Sequence, residues 1–120
     1  MQIQPTLLGA LALGALALAG QASAHAALVA SNPAANATVA APKTISLTFN
    51  EALTPAFSRF DVARANGVKL KIKTHVAGDK KTIVGLPAGK MMAGAYKVSW
   101  RAAATDDGHR TSGAFAFKVK

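Results

Sequence analysis

Alternation of polar and apolar residues dominates the chain after its first 24 residues. Residues 44–49 place Ile45, Leu47 and Phe49 on one side, the period-two pattern of a strand with one buried face. The same period recurs later in the chain, while residues 57–63 and 82–86 are weaker candidates. The further apolar faces are Leu70 with Ile72, Tyr96 with Val98 and Trp100, and Phe115 with Phe117 and Val119. The pattern predicts a set of short strands and no long helix.

Pro, Gly, Asn and Asp separate these predicted strands, as in chains that turn back sharply. Asn66-Gly67 is the strongest hairpin signal, because both residue types tolerate the positive φ that tight hairpin turns require. About seven short strands, spaced roughly ten residues apart, are typical of a β-sandwich. Since no linker or repeat interrupts the pattern, we predict a single domain over residues 25–120.

The first 24 residues follow a different pattern. Residues 7–19 form an apolar run of Leu, Ala and Gly, shorter than the roughly 20 residues of a membrane-spanning helix. Ala22-Ser23-Ala24 then provides the small side chains that a signal peptidase accepts, although no Lys or Arg precedes the apolar run. We predict a signal peptide over residues 1–24, export, and cleavage that leaves His25 as the first residue. The alternative is a retained anchor or a buried helix.

Charge and composition narrow the set of partners. All 14 Lys and Arg and all 5 Asp and Glu follow residue 24, for a net charge of +9. These charges are scattered and not interleaved with aromatic residues, so we expect a solvated surface that can attract anionic partners or membranes, and no nucleic acid. The chain has no cysteine, so its core must hold the fold without disulfides.

Two of the three histidines are candidate metal ligands. As a first residue, His25 would offer its imidazole and its α-amino group, which together chelate one ion of a metal such as Cu(II). In Asp107-Gly108-His109, a turn at the glycine can direct the carboxylate and the imidazole toward one centre. Combined, these groups form a nitrogen-rich donor set suited to Cu(II). The alternatives are a histidine that happens to lie near a terminus and an ordinary polar turn.

Six segments of residues 25–120 form a combination that is more specific than any of its parts. They are HA at 25–26, SNPA at 31–34, ISLTFNE at 45–51, GAYKVSWR at 94–101, DGH at 107–109 and GAFAFKV at 113–119. Together they resemble the CopC family of bacterial periplasmic copper-resistance proteins over nearly all of the predicted domain. The resemblance implies an all-β, Ig-like Greek-key sandwich or barrel of about seven strands.

The resemblance also implies a metal site and a role. It implies one Cu(II) ion per chain, bound by both nitrogens of His25 and by the side chains of Asp107 and His109. It places Glu51 close to the metal, either as a weak ligand or, as we expect, as a hydrogen-bond partner of a ligand or bound water; the alternative is a surface charge. The implied role is that of a periplasmic copper carrier or buffer, not an enzyme. We expect a monomer that hands copper to an inner-membrane copper transport partner.

Two other functions remain open from the sequence. A terminal-histidine copper site also resembles that of lytic polysaccharide monooxygenases, but Tyr96 and Trp100 are predicted to face inward, which leaves no aromatic plane for a sugar. The other alternative is a metal-free Ig-like interaction module. Met91 and Met92 are adjacent rather than spaced, so we expect them to pack in the fold and the site to take Cu(II) only. We expect His75, among lysines, on the surface.

Overall fold

The computed structural model describes residues 25–120, and the predicted signal peptide lies outside the described residues. This part of the chain forms eight strands and one short 3₁₀ helix at Pro55–Phe57. The strands are β1 (Leu28–Asn32), β2 (Thr38–Val39), β3 (Ile45–Phe49), β4 (Arg59–Arg64), β5 (Ile72–Val76), β6 (Thr82–Pro87), β7 (Gly94–Ala103) and β8 (Arg110–Val119).

The strands form two four-stranded sheets, in the orders β1-β3-β6-β5 and β2-β8-β7-β4. Neighbouring strands run antiparallel except β2 and β8, which pair in parallel. The chain changes sheet at each of the first four connections, so the two sheets are laced together into one sandwich. The predicted all-β sandwich is confirmed, with eight strands where about seven were expected.

The inner faces of the two sheets form the core. The predicted inward residues of β3, Ile45, Leu47 and Phe49, are almost fully buried. Trp100 of β7 meets Phe49 edge to face, with ring centroids 5.0 Å apart, so the two sheets are joined by an aromatic contact. The same alternation buries Tyr96, Val98, Phe117 and Val119, as the sequence pattern predicts.

The predicted Asn66-Gly67 turn is present, but it does not join two strands of one sheet. Gly67 has a φ of 88°, and the N–H of Leu70 donates to the carbonyl of Val62 at 2.8 Å, which closes a short antiparallel ladder. Beyond Leu70 the chain crosses to the other sheet, where β5 pairs with β6. Local turn chemistry therefore predicted the reversal, while the packing of the two sheets decided the strand partners.

Met91, Met92 and His75 belong to segments other than those that carry His25 and His109. Met91 is buried in the core, as expected, whereas the side chain of Met92 is 64% exposed and only its carbonyl is engaged, accepting from the Tyr96 hydroxyl at 2.6 Å. His75 is exposed on β5, as predicted. Within residues 25–120, no helix has the length and apolar character needed to cross a membrane.

Candidate metal site

The antiparallel topology brings the beginning of β1 and the connection between β7 and β8 to the same end of the sandwich. The segment before β1 carries His25, and the connection between β7 and β8 carries Asp107 and His109. β3 also ends here, so Glu51 follows at the same end. All four residues of the predicted set therefore come from loops at one end of the fold.

Two hydrogen bonds to the side chain and backbone of Asn50 hold the segment before β1. The N–H of Ala27 donates to the Asn50 side-chain oxygen at 2.7 Å, and the Asn50 N–H donates back to the Ala27 carbonyl at 3.1 Å. Ala26 is buried, so the residue next to His25 is also packed into the core. These contacts fix the start of the described chain against the end of β3.

A third bond ties this segment to the other sheet. The hydroxyl of Thr111, on β8, donates to the carbonyl of Ala26 at 2.8 Å. Thr111 lies two residues after His109, and Ala26 lies one residue after His25. The Thr111 hydroxyl therefore joins the two segments that carry the candidate ligands, across 85 positions of sequence.

The connection between β7 and β8 is a closed loop with its own hydrogen bonds. The N–H of Gly108 donates to the Ala104 carbonyl at 2.9 Å, and the Ala104 N–H donates to the His109 carbonyl at 3.2 Å. Gly108 has a φ of 67°, a conformation that glycine adopts without the strain of a side chain. A side-chain oxygen of Asp107 accepts from the His109 N–H at 2.9 Å, so the predicted turn is present and Asp107 stabilises it.

The two candidate imidazoles meet in space. The ring centroids of His25 and His109 are 4.0 Å apart, with the rings nearly perpendicular at 77°. His25 is half-buried and His109 is exposed, so the pair is open to solvent on one side. Imidazole is the commonest metal ligand among protein side chains, so this contact brings two candidate ligands together.

Asp107 and Glu51 stand apart from this pair. Among residues 25–120, no group of three or more His, Cys, Asp or Glu side chains is gathered in an arrangement that could hold a metal ion. The Asp107 carboxylate instead serves the loop backbone, and Glu51 is half-buried beside Asn50. The structure therefore brings together the two histidines of the predicted set and leaves the two carboxylates outside the pair.

The sequence pattern did not identify Asn50 and Thr111 as parts of this site. Asn50 carried a weak signal, since an Asn directly after a strand often uses its side chain to bind backbone groups. Thr111 carried none, because it reads as one polar position of an alternating strand. Both act by holding the segment next to His25 rather than by offering a metal ligand.

The sequence and the fold place the chain in a known family. The chain belongs to the CopC domain family, whose model matches residues 28–120. It is 41% identical over 106 residues to copper resistance protein C of Pseudomonas syringae pv. tomato, an alignment that covers 82% of this chain and 83% of that protein.

Solved structures give the same result for the fold. The crystal structure of PcoC, a methionine-rich copper resistance protein from Escherichia coli, is similar with a TM-score of 0.75 and 35% identity, covering 80% of this chain and 99% of that one. CopC from Methylosinus trichosporium OB3b is similar with a TM-score of 0.72 and 31% identity, covering 80% and 94%. The resemblance inferred from the sequence is confirmed at the level of family and fold.

Proposed function

We propose that this chain binds one Cu(II) ion in the periplasm and serves as a copper carrier or buffer. The observation that carries the proposal is the contact between the imidazoles of His25 and His109, 4.0 Å apart between centroids. Two histidines from segments far apart in sequence have no evident stabilising reason to meet at an open end of the fold. Membership of a family whose relatives include copper resistance proteins supports copper as the metal.

The remaining ligands of the proposed site are the α-amino group of His25 and the carboxylate of Asp107. Cleavage after Ala24, which we also propose, would create the amine, and an amine and an imidazole on one residue chelate a single ion. Imidazole, amine and carboxylate donors suit the tetragonal preference of Cu(II). Glu51 is the proposed hydrogen-bond partner that orients a ligand or a bound water. Soft thioether ligation of Cu(I) has no part in this proposal, because Met91 is buried in the core and Met92 is then a single exposed thioether in the described part of the chain.

The proposed role is storage and transfer rather than catalysis. Tyr96 and Trp100 are buried between the sheets, so neither offers the flat aromatic surface that a polysaccharide-oxidising enzyme would need. Protons compete with a metal for imidazole and amine nitrogens, so acidification should release the ion. We propose that the monomeric carrier passes copper to an inner-membrane copper transport protein.

Copper titration of the exported, purified chain tests this function, with the fluorescence of Trp100, the one tryptophan, as the signal. Wild type should bind one equivalent of Cu(II). His109→Ala should weaken binding at least about tenfold, because even loss of a group that only orients a ligand typically costs that much. His75→Ala removes an exposed histidine from β5 and is the matched control, expected to bind like wild type.

A second variant tests the chelate itself. A chain exported with one additional residue before His25 keeps both imidazoles but places the free amine on a different residue. It should lose tight binding while retaining a weaker site. Equal affinity of this variant and wild type would show that the amine is not a ligand, and equal affinity of His109→Ala and His75→Ala would show that the imidazole pair is not the site.

A further inference from the structure

A shallow cleft of about 430 Å³ lies beside the candidate metal site, on the outer face of the sheet that contains β4, β7 and β8. The side chains that matter for its chemistry are three arginines, one aromatic ring and two hydroxyl groups: Arg59, Arg101, Arg110, Phe57, Thr111 and Ser112. We name it the arginine cleft. It opens to solvent, and Phe57, which forms one wall, is 51% exposed.

Arginine, and not lysine, supplies the positive charge of this cleft. The chain has four arginines and ten lysines, and in the described part of the chain three of the arginines and none of the lysines line the cleft. Lysine would serve equally well for a solvated surface charge. Guanidinium differs because its planar fork donates two parallel hydrogen bonds to one carboxylate. The composition therefore indicates a site for oxyanions such as carboxylates, with which guanidinium pairs bidentately, rather than a general positive surface.

The positions of these arginines do not stabilise the fold. Arg59 and Arg101 are directly opposite each other in the pairing of β4 with β7, so two cations share one face at neighbouring positions. Like charges in this relation destabilise a sheet. In the part of the chain that the structure describes, Asp61 is the one carboxylate that pairs with either of them: its oxygen lies 3.8 Å from the Arg101 guanidinium and 4.0 Å from the Lys69 amine. One carboxylate divided between two cations leaves most of the cleft's charge uncompensated.

The third arginine links the cleft to the candidate metal site. The Arg110 guanidinium lies over the Phe57 ring, 4.4 Å from its centroid, which orients the charge toward the cleft. Arg110 directly follows His109, and Thr111, which lines the cleft, also holds the carbonyl next to His25. The arginine cleft and the candidate metal site therefore meet at the start of β8, where Arg110 and Thr111 line the cleft and His109 directly precedes them.

We propose that the arginine cleft docks an acidic, Asp- and Glu-rich segment of a partner protein, and that this partner exchanges copper with the adjacent histidines. The exchange of copper rests on the proposed function, whereas docking of the acidic segment does not. Arginine and exposed aromatic side chains together are the composition of protein-binding surfaces. A recessed cleft on a sheet face fits an extended chain with carboxylates better than it fits a flat anionic membrane. A membrane would attract the scattered, protruding lysines as well as the arginines of the cleft.

The test measures binding of a fluorescein-labelled octaglutamate peptide to the copper-free, exported chain by fluorescence anisotropy. Arg59→Gln with Arg101→Gln should weaken binding about 25-fold, roughly fivefold for each solvent-exposed ion pair removed. Lys71→Gln with Lys73→Gln removes the same charge from exposed positions directly before and on β5, and is the matched control. Asp61→Asn removes the one competing carboxylate, so it should tighten binding, a gain that damage to the fold would not produce.

Three results overturn the docking proposal. These are no peptide binding by wild type, equal weakening by the arginine and lysine variants, and arginine-dependent binding to phosphatidylglycerol vesicles without binding to the peptide. Because the peptide is measured without copper, its result holds whatever the copper titration gives. The double arginine variant should keep wild-type Cu(II) affinity, which separates failure of docking from failure of the metal site.

Discussion

The Thr111 hydroxyl is the contact through which the fold holds the two candidate ligand segments together, and Thr111→Val tests it. The substitution keeps the shape and the β-branching of the side chain, so β8 should be unaffected. It removes the donor to the carbonyl of the buried Ala26, a part-buried hydrogen bond of 2.8 Å. Losing one partner of a buried hydrogen bond costs about 1–3 kcal/mol.

We expect a value near the lower end, about 1 kcal/mol, because the segment before β1 can move toward water once it is released. If the whole of this free energy is lost from the ordering of His25 beside His109, Cu(II) affinity falls by about fivefold. The same cost, if felt by the whole domain, lowers Tm by about 4–8 °C. Isothermal titration with Cu(II) and thermal unfolding of the copper-free chain measure the two effects separately.

Thr111→Ser is the matched control, since it keeps the hydroxyl and should bind copper within about twofold of wild type, less than the tethering effect worked out above. If Thr111→Val and Thr111→Ser bind copper with equal affinity, the hydroxyl does not position the site. Loss of copper affinity in Thr111→Ser, which lacks only the methyl group, would show that packing of this side chain also positions the segment.

Two further predictions concern the fold that supports the site. Gly85→Ala should destabilise the copper-free domain by about 1–3 kcal/mol, because the added methyl would overlap the Phe60 ring in the core; Gly78→Ala, with open space around it, is the control, and equal melting temperatures would contradict this packing. The pKa of Asp79 lies below its usual 3.8, chiefly because the Thr82 hydroxyl donates a hydrogen bond to the carboxylate and, to a smaller extent, because the Lys81 backbone N–H does. Folding therefore favours the charged carboxylate. The deficit in Tm of Asp79→Asn should therefore be fully present above pH 3.8 and disappear as the pH falls through the folded pKa; a deficit that stays constant with pH would contradict the assignment.

The alternating pattern was sufficient to predict strands that bury one regular apolar face, and it was insufficient to predict strands that do not. β3, β7 and β8 carry regular apolar positions and were predicted. β1 was missed because it is an edge strand whose Val29 is 61% exposed, so its sequence shows little alternation. β2 has two residues, and its parallel pairing with β8 depends on tertiary register that no local signal encodes.

The candidate site was predictable only in its residue types. The chemistry of His25 and His109 follows from their neighbours in sequence, but their meeting depends on which strands pair, and the family resemblance supplied that expectation. The Asp107 carboxylate illustrates the limit: a side chain proposed as a ligand accepts a backbone hydrogen bond from His109 in the described fold. Competition between a backbone donor and a metal cannot be settled by spacing.

Intact mass spectrometry of the protein recovered from the periplasm, with and without added Cu(II), tests the central claim most directly. Our account predicts a chain whose first residue is His25 and a mass increase of one copper ion, abolished by acid. A chain that retains residues 1–24, or one that begins at His25 and takes up no copper, would contradict it.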